Sequence, residues 1–304
     1  MRSLRLALAL LTLGACAGAP VPAGWPDSAL CVANRPVEGT SPTPAEWAAL
    51  LLSGLDPATR RATSPALDCA GTQVRWEGPA LGCEDGTLAR TALPERPIAD
   101  GDVLVSPLGP GRAIVWVVTG RFASGEALGP VALVEHGQHL VRVLASGPLR
   151  AYPTRARLRL EQLGGRPVLV AEGESCPTAD PAGCARAARL LALRDHRFVA
   201  PAVLGEDGRC LAPSWLDLVR REVRPGAAGP EEAGLLATLA FDGAGLTVDE
   251  QVVVREAPGR DRAEARVLRR AQLQRTLRWR GEDLTTSGSP LWERMAGRAG
   301  GGAP

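Results

Sequence analysis

Short runs in which apolar and polar residues alternate, each followed by a turn, constrain the fold of this chain more than any other feature. Residues 155–160 alternate strictly, with apolar side chains in one phase and arginines in the other. A repeat of two residues places the apolar set on one face of a β-strand, whereas an amphipathic helix needs a repeat of about 3.6. Gly164 and Gly165 then turn the chain into the apolar run 167–171. This stretch therefore predicts a half-buried β-hairpin.

The same pattern recurs twice nearer the C terminus. Residues 235–241 alternate, turn at 242–243 and return through 246–254. Residues 273–280 alternate up to a turn at 281–282. Glycine and aspartate at these turns suit tight hairpin connections, because both residue types tolerate left-handed backbone angles. Both stretches predict antiparallel hairpins.

The middle of the chain carries strands that are apolar in both phases. Residues 113–118 are typical of a central strand buried on both faces, with the runs 131–135 and 139–144 as its neighbours. Residues 185–193 fit a helix as well as a strand. These runs and hairpins predict a mainly β fold, an antiparallel meander in the form of a sandwich, an open barrel or a partial propeller, with a short N-terminal helix.

A capping box predicts that short helix. Thr43 is expected to cap the helix, Pro44 fits the first helical position, and Glu46 fits the third. We expect the helix to span residues 43–55 and either to end there or to lead into a second short helical turn.

The N terminus has the pattern of a secretory signal. Residues 1–15 combine a basic start, an apolar run too short to cross a bilayer, and small residues ahead of Cys16. The sequence Leu-Gly-Ala-Cys that ends at Cys16 resembles the lipobox of bacterial lipoproteins. The resemblance implies cleavage before Cys16, attachment of diacylglycerol to its sulfur and acylation of its new amino group. Because Ala17 rather than Asp follows, it also implies sorting to the outer membrane in a Gram-negative cell.

Proline-rich composition marks the segment after the lipobox. Residues 16–44 carry six prolines among Ala, Gly and Ser, a composition typical of a semi-extended tether. We predict a lipidated tether over 16–44, a single globular mainly β domain over 45–295, and a flexible tail over the Gly-rich residues 296–304.

Six cysteines remain when Cys16 is assigned to the lipid. An even number in an exported chain predicts three disulfides, and the sequence holds no Cys-x-x-Cys pair of the kind that zinc sites use. The count alone leaves many pairings open. We predict two local pairs and one long-range pair: Cys69–Cys83, Cys176–Cys184 and Cys31–Cys210.

All 35 basic residues are arginine. The depletion of Lys, Ile, Asn and Tyr is typical of a GC-rich genome, so abundant Arg is not evidence for a nucleic-acid partner. Without Lys, the chain cannot be a Walker A NTPase, a Schiff-base enzyme, a protein kinase or a Ser–Lys acyl transferase. Removal of residues 1–15 would leave 33 Arg against 33 acidic side chains. Because these charges balance, the chain has no net positive charge that would attract DNA. We therefore predict no nucleic-acid partner.

The chain has three histidines. His136 and His139 form an H-x-x-H pair at a predicted hairpin tip, and His196 lies in a polar cluster typical of a turn. A metal site would need both imidazoles to converge with a carboxylate, and we favour plain turn residues, with no metal and no cofactor. No G-x-S-x-G elbow is present, whereas a glycosidase-type carboxylate pair would leave no local signature.

Two groups of arginines are candidates for binding. On one sheet face they would suit an acidic glycan or lipopolysaccharide, and the alternative is a solvated face balanced by acidic neighbours. The candidates are Arg155, Arg157, Arg159, Arg275, Arg278 and Arg280.

The sequence thus predicts a lipid-anchored envelope protein that binds a protein or glycan partner or acts as a scaffold, without catalysis. The alternative is an envelope hydrolase that uses dispersed carboxylates or the pair His136 and His139. Catalysis near neutral pH usually recruits His, Lys, Cys or a metal, and this chain offers few of them.

Overall fold

The structure is a computed structural model that describes eight ranges of the chain: 25–26, 28–34, 41–76, 96–137, 139–176, 184–226, 229–257 and 265–295. The predicted signal peptide, Cys16, Cys83, the tail 296–304 and much of the predicted tether lie outside the described residues.

Strands dominate the described residues, which confirms the mainly β prediction. The strands are β1 (Cys31–Asn34), β2 (Leu52–Asp56), β3 (Arg61–Asp68), β4 (Val103–Gly109), β5 (Arg112–Val117), β6 (Gly120–Arg121), β7 (Ala127–His136), β8 (Leu140–Ala151), β9 (Thr154–Leu163), β10 (Arg166–Ser175), β11 (Ala185–Arg194), β12 (Arg197–Val199), β13 (Ala202–Leu204), β14 (Cys210–Pro213), β15 (Trp215–Gly226), β16 (Gly229–Phe241), β17 (Leu246–Glu256), β18 (Val267–Arg280) and β19 (Asp283–Thr286). The helices are α1 (Pro44–Leu51) and α2 (Leu291–Met295), with a 3₁₀ turn at Asp100–Asp102.

The first half of the chain forms an antiparallel meander. Strand β5 pairs with β4 and β7, and β7 pairs with β8. Strand β1 adds to the first residues of β8 through the pairing of Cys31 with Val143. These pairings confirm the central position expected for residues 113–118 and the neighbouring strands predicted around 131–144.

The second half continues the sheet from β9 to β19. Strands β9, β10 and β11 pair in order, β11 pairs onward with β15, and β15 to β19 follow as successive antiparallel neighbours. Strand β13 joins β19 in parallel and pairs with β14. The three predicted hairpins are confirmed at the β9–β10, β16–β17 and β18–β19 turns. The open alternative for residues 185–193 is resolved as strand.

Both faces of the central strands are buried, so successive residues enter different apolar clusters. Val115 faces the cluster that α1 covers, while Trp116 faces a cluster between the two halves of the sheet. In β10, Leu169 enters this middle cluster and Val170 enters a third one, which β15 to β19 enclose. The core therefore consists of apolar layers on both sides of β5, β7, β10 and β11.

The predicted helix is correct at its start and wrong at its end. Thr43 and Glu46 form the capping box, and the helix then stops at Leu51. Residues 52–56 form β2, which pairs with β3. Gly54 adopts a φ of +94° at an irregularity in this pairing, a backbone angle that an α-helix cannot contain.

Two disulfides join described residues, and they correct part of the predicted pairing. The pair Cys176–Cys184 is confirmed. Cys31 bonds to Cys69, so the predicted pairs Cys31–Cys210 and Cys69–Cys83 are wrong. The physical reason is that Cys31 in β1 and Cys69, the residue after β3, both pack against the apolar cluster beneath α1. Cys210 is disulfide-bonded as well.

Disulfides of this kind form and persist in oxidising compartments, so they indicate an exported protein. The described residues contain no helix that is both long and apolar enough to cross a bilayer.

Candidate ligand-binding pocket

A cavity of about 450 Å³ opens where the end of β8 meets β11 and β15. Strands β16, β17 and β18 and the helix α2 complete its lining. The charged lining residues are Glu126, Arg150, Arg189, Asp217, Arg220, Glu250, Arg275 and Glu293. The aromatic lining residues are Tyr152, Trp215 and Trp292. A cavity of this size falls in the range of small-molecule sites.

Two buried arginines share one carboxylate in the part of the pocket that we call the floor, formed by Glu126, Arg150 and Arg189. Each arginine side chain is only 1% exposed. Arg150 Nη2 donates to Glu126 Oε2 at 2.5 Å, and Arg189 Nη2 lies 3.6 Å from Glu126 Oε1. Arg189 Nε also donates to the carbonyl oxygen of Arg150 at 3.0 Å. Strands β8 and β11 are thereby joined through their charged side chains.

Aromatic rings cover the faces of the floor arginines. The Arg189 guanidinium lies between Trp76 and Trp215, with its carbon 4.6 Å from each ring centre. The Arg150 guanidinium lies 4.3 Å from the ring centre of Phe122. Tyr152 meets Trp215 edge to face at 4.9 Å. These contacts fix the orientation of the cations while leaving their N–H edges for hydrogen bonds.

Arg150 does not use all of its donors. Its Nε is buried and has no hydrogen-bond partner in the structure. Because buried donors are nearly always paired, an unpaired one beside a cavity indicates a place for a water molecule or a ligand oxygen.

A second buried ion pair in the lining, which we call the wall, is formed by Glu250 and Arg275. Both side chains are 4% exposed. Arg275 Nε and Nη2 donate to Glu250 Oε1 at 3.0 and 2.8 Å, and the Leu291 backbone N–H donates to Glu250 Oε2 at 2.8 Å. The Glu250 carboxylate therefore has both oxygens occupied, and it holds the first residue of α2.

The mouth of the pocket is formed by Asp217, Arg220 and Glu293. Asp217 accepts from Trp215 Nε1 at 3.0 Å and from Arg220 Nη1 at 3.3 Å. The Arg220 guanidinium packs 4.7 Å from the ring centre of Trp292. Partial burial raises the pKa of Glu293, with the negative charge of Glu250 adding to the rise and Arg275 opposing it.

The charges of the lining nearly cancel, since four arginines face four carboxylates. Burial raises the pKa of the Tyr152 phenol, and the charges of Glu126 and Asp217 add to that rise. Tyr152 therefore remains a neutral hydrogen-bonding group at physiological pH. The pocket can recognise a ligand that combines hydrogen-bond donors, hydrogen-bond acceptors and an apolar face.

One of the arginine groups predicted from sequence lies along β9, and acidic neighbours balance it. Arg155 pairs with Glu174 at 3.1 Å, and Arg159 pairs with Glu172 at 2.5 Å. Arg157 is exposed on the same face. This arrangement matches the alternative of a solvated, balanced face.

The other predicted group is divided between two faces of β18. Arg275 points inward to the pocket, whereas Arg278 and Arg280 alternate outward because Leu277 and Trp279 pack against the third apolar cluster. Arg275 is thus the candidate that contributes to the pocket. The structure does not bring the six candidates together on one face.

The three histidines lie outside the pocket lining. His136 meets the Trp47 ring at 6.2 Å, and His139 is exposed in the turn that follows β7. His196 Nδ1 lies 2.8 Å from the carbonyl oxygen of Leu144, and its Nε2 lies 3.2 Å from Ser28 Oγ. No described histidine belongs to a cluster with metal-ligand spacing.

A cluster with that spacing does occur at Glu174, Cys176 and Cys184. Its two cysteines form a disulfide, and a disulfide sulfur is not a thiolate ligand. The described residues therefore offer no metal centre that suits the pocket.

Glu126, Arg150 and Arg189 were not predicted from the sequence, although the pattern of β11 marks Arg189. In β11, Arg189 occupies the same phase as Ala187 and Leu191, which are buried. A charged residue in the buried phase of a strand must be paired or functional, because an isolated buried charge is very costly. The partner of such a residue comes from a distant strand and cannot be found by spacing.

Comparisons of the chain with protein-family models, with curated proteins and with solved structures give no match. The function is therefore argued from the chemistry of the pocket and of the N terminus.

Proposed function

We propose that this protein is a lipid-anchored envelope protein that binds a ligand in the pocket without transforming it. The observation that carries the proposal is that three of the pocket carboxylates are already hydrogen-bonded to arginines. Glu126, Asp217 and Glu250 all accept hydrogen bonds from arginine. A carboxylate whose oxygens already accept hydrogen bonds from a guanidinium has fewer lone pairs free to attack a substrate or to orient a water molecule.

Carboxylate-based hydrolysis needs two carboxyl groups with different roles. One must be protonated to act as the acid, and the other must be free to attack or to activate water. The three paired carboxylates do not fit the second role, whereas arginines and tryptophans are residue types that often dominate binding energy. The lining therefore favours recognition over turnover.

The lipid anchor is proposed from the lipobox-like sequence before Cys16. The nine residue-to-residue steps from Cys16 to Trp25 span at most about 30 Å when fully extended. The body begins soon after, since Cys31 is fixed to Cys69 and to strand β8. An anchored protein would therefore hold its folded part close to the membrane surface.

The anchor is tested with Cys16→Ser. We expect this variant to lose palmitate labelling and to accumulate as unprocessed precursor. Normal processing together with membrane retention of the variant would contradict the anchor.

The binding function is tested with the processed protein in detergent micelles against a panel of envelope glycan fragments and hydrolase substrates. Asp217→Asn changes the mouth of the pocket, and Asp249→Asn is the matched control because Asp249 pairs with Gln272 away from it. We expect saturable binding without product formation, weakened in the first variant and kept in the second. Product formation that Asp217→Asn abolishes, or binding that neither variant changes, would contradict the proposal.

One observation favours hydrolysis as a second candidate function. Glu293 has a raised pKa at the pocket mouth, which is the property of a general acid. If the protein is a hydrolase of this kind, Glu293→Gln should reduce turnover of its substrate at least a hundredfold, a typical contribution of a general acid. Unchanged turnover would exclude this role for Glu293.

A further inference from the structure

We propose that the ligand of the pocket is an acidic sugar, meaning a hydroxylated ring that carries one carboxylate or phosphate group. This inference rests on the proposed binding function and adds the chemical class of the ligand. It follows from three properties of the lining: a buried arginine with an unpaired donor, aromatic rings held by arginines, and carboxylates at the mouth.

The acidic group of the ligand is assigned to the floor. Arg150 is 1% exposed, it has one hydrogen bond to Glu126, and its Nε has no partner. A buried guanidinium is stable only when charged acceptors surround it, and its planar edge matches a carboxylate or a phosphate. An anionic oxygen in the adjoining cavity would give Arg150 a second charged acceptor.

The ring of the ligand is assigned to the aromatic part of the lining. Trp215 and Trp292 both line the cavity, and each ring is held by a stacked arginine, Arg189 and Arg220 respectively. Rings fixed in this way offer apolar surface to the C–H groups of a sugar at little entropic cost.

The hydroxyl groups of the ligand are assigned to the mouth. Asp217 and Glu293 lie there, and a carboxylate accepts hydrogen bonds from hydroxyl groups. The same two carboxylates would repel a second anionic group, which disfavours polyphosphates and densely sulfated chains. The pocket thus fits a ligand whose negative charge is confined to one end.

Other ligand classes leave part of the lining unmatched. A neutral sugar would leave Arg150 without its second charged acceptor, and an aliphatic acid would place C–H groups against Asp217. Leaving a buried or desolvated polar group unpaired is costly, so each mismatch weakens binding.

The ligand class is tested by calorimetric titration of the processed full chain in detergent micelles. The carboxylate probe is a galactose trisaccharide in which one terminal residue is galacturonic acid, the phosphate probe is glucose 6-phosphate, and their neutral counterparts are a galactose trisaccharide and glucose. We expect at least one acidic probe to bind about tenfold or more tightly than its neutral counterpart, the effect of one charge-assisted hydrogen bond. The probe with the larger ratio identifies the source of the charge.

Two variants and a control locate the effect. Arg150→Gln should remove most of the preference for the acidic probe. Arg220→Gln changes a half-exposed side chain at the mouth, keeps the floor intact and should weaken binding about threefold with the preference retained. Arg255→Gln is the control, since Arg255 pairs with Glu232 outside the pocket lining and should bind as the unchanged protein does.

The outcomes separate this inference from the proposed function. Equal binding of acidic and neutral probes, or no binding of any acidic probe, would overturn the acidic-sugar class and leave a binding protein with another ligand. Cleavage of the acidic trisaccharide would overturn the non-catalytic function and support the ligand class.

Discussion

The floor and the wall of the pocket are two buried ion pairs that differ in how completely they are satisfied. In the wall, Glu250 uses both oxygens and Arg275 donates two hydrogen bonds to it. In the floor, Arg150 donates one hydrogen bond to Glu126, and its Nε remains unpaired. Both pairs are almost fully buried, so exposure does not explain the difference.

The difference indicates separate roles for the two pairs. A buried pair whose hydrogen bonds are complete belongs to the folded structure, since removing one partner leaves an uncompensated charge. A buried pair with an unused donor beside a cavity is prepared for a further acceptor. We therefore expect wall substitutions to act mainly on stability and floor substitutions to act mainly on binding.

The largest expected effect is at the wall. Arg275→Ala should lower the free energy of unfolding by about 3–5 kcal/mol, because the buried Glu250 would lose its cationic partner. Urea denaturation measures the loss. Arg142→Ala serves as the control and should cost below about 1 kcal/mol, because its partly exposed partner Glu135 also pairs with Arg112. Equal losses in the two variants would remove the structural role assigned to the wall.

The next effect concerns the backbone that positions the floor. A Cβ at Gly173 in β10 would overlap the carbonyl oxygen of Tyr152, the residue that follows β8 and lines the pocket. Gly173→Ala should therefore cost about 3 kcal/mol and weaken ligand binding. Gly101→Ala is the matched control, since its added Cβ has no atom within 4 Å. Unchanged melting and binding in Gly173→Ala would show that this close approach is not required.

A smaller effect on stability is expected at the floor. Arg150→Gln keeps a donor near Glu126, and Arg189 remains 3.6 Å from the same carboxylate. The loss in unfolding free energy should be about 1–2 kcal/mol, smaller than at the wall. Thermal denaturation of the two variants side by side checks this order. A loss at Arg150 that exceeds the loss at Arg275 would reverse the roles assigned to floor and wall.

The smallest effect is expected at Glu293, and it depends on pH. Its pKa in the folded protein is raised above the ordinary value of 4.5, so the ionised form is disfavoured by folding. Glu293→Gln should therefore stabilise the protein at pH 7, by less than about 0.5 kcal/mol because the side chain is only partly buried and solvent screens its charge. The gain should vanish below pH 4.5, where both folded and unfolded proteins carry a protonated Glu293. A gain that persists at pH 3 would show that the charge is not its cause.

Strand patterns predicted most of the sheet because alternation and turn residues act locally. The hairpins at residues 164–165, 242–243 and 281–282 each form where their sequence indicates. The helix prediction is wrong beyond Leu51, because pairing with β3 and not local propensity determines the conformation of residues 52–56. The predicted partner of Cys31 is wrong for the same reason, since the actual partner depends on which distant segments pack on the same apolar cluster.

The pocket was only partly predictable. Along β17 the buried phase reads Leu246, Val248, Glu250, Val252 and Val254, so a charge within an apolar stripe marks a special position. Arg275 interrupts the buried phase of β18 in the same way. The sequence cannot show that these two residues line the same cavity as Arg150 and Arg189, because that proximity depends on the pairing of distant strands.

A crystal structure of the protein with the bound trisaccharide that carries one terminal galacturonic acid residue tests the account most directly. We expect a ligand carboxylate oxygen about 3 Å from a nitrogen of the Arg150 guanidinium, and the sugar ring against Trp215 or Trp292. The hydrogen bonds between Glu250 and Arg275 should be unchanged by the ligand. A carboxylate that points to solvent, or a ligand bound outside the cavity, would contradict the distinct roles of floor and wall.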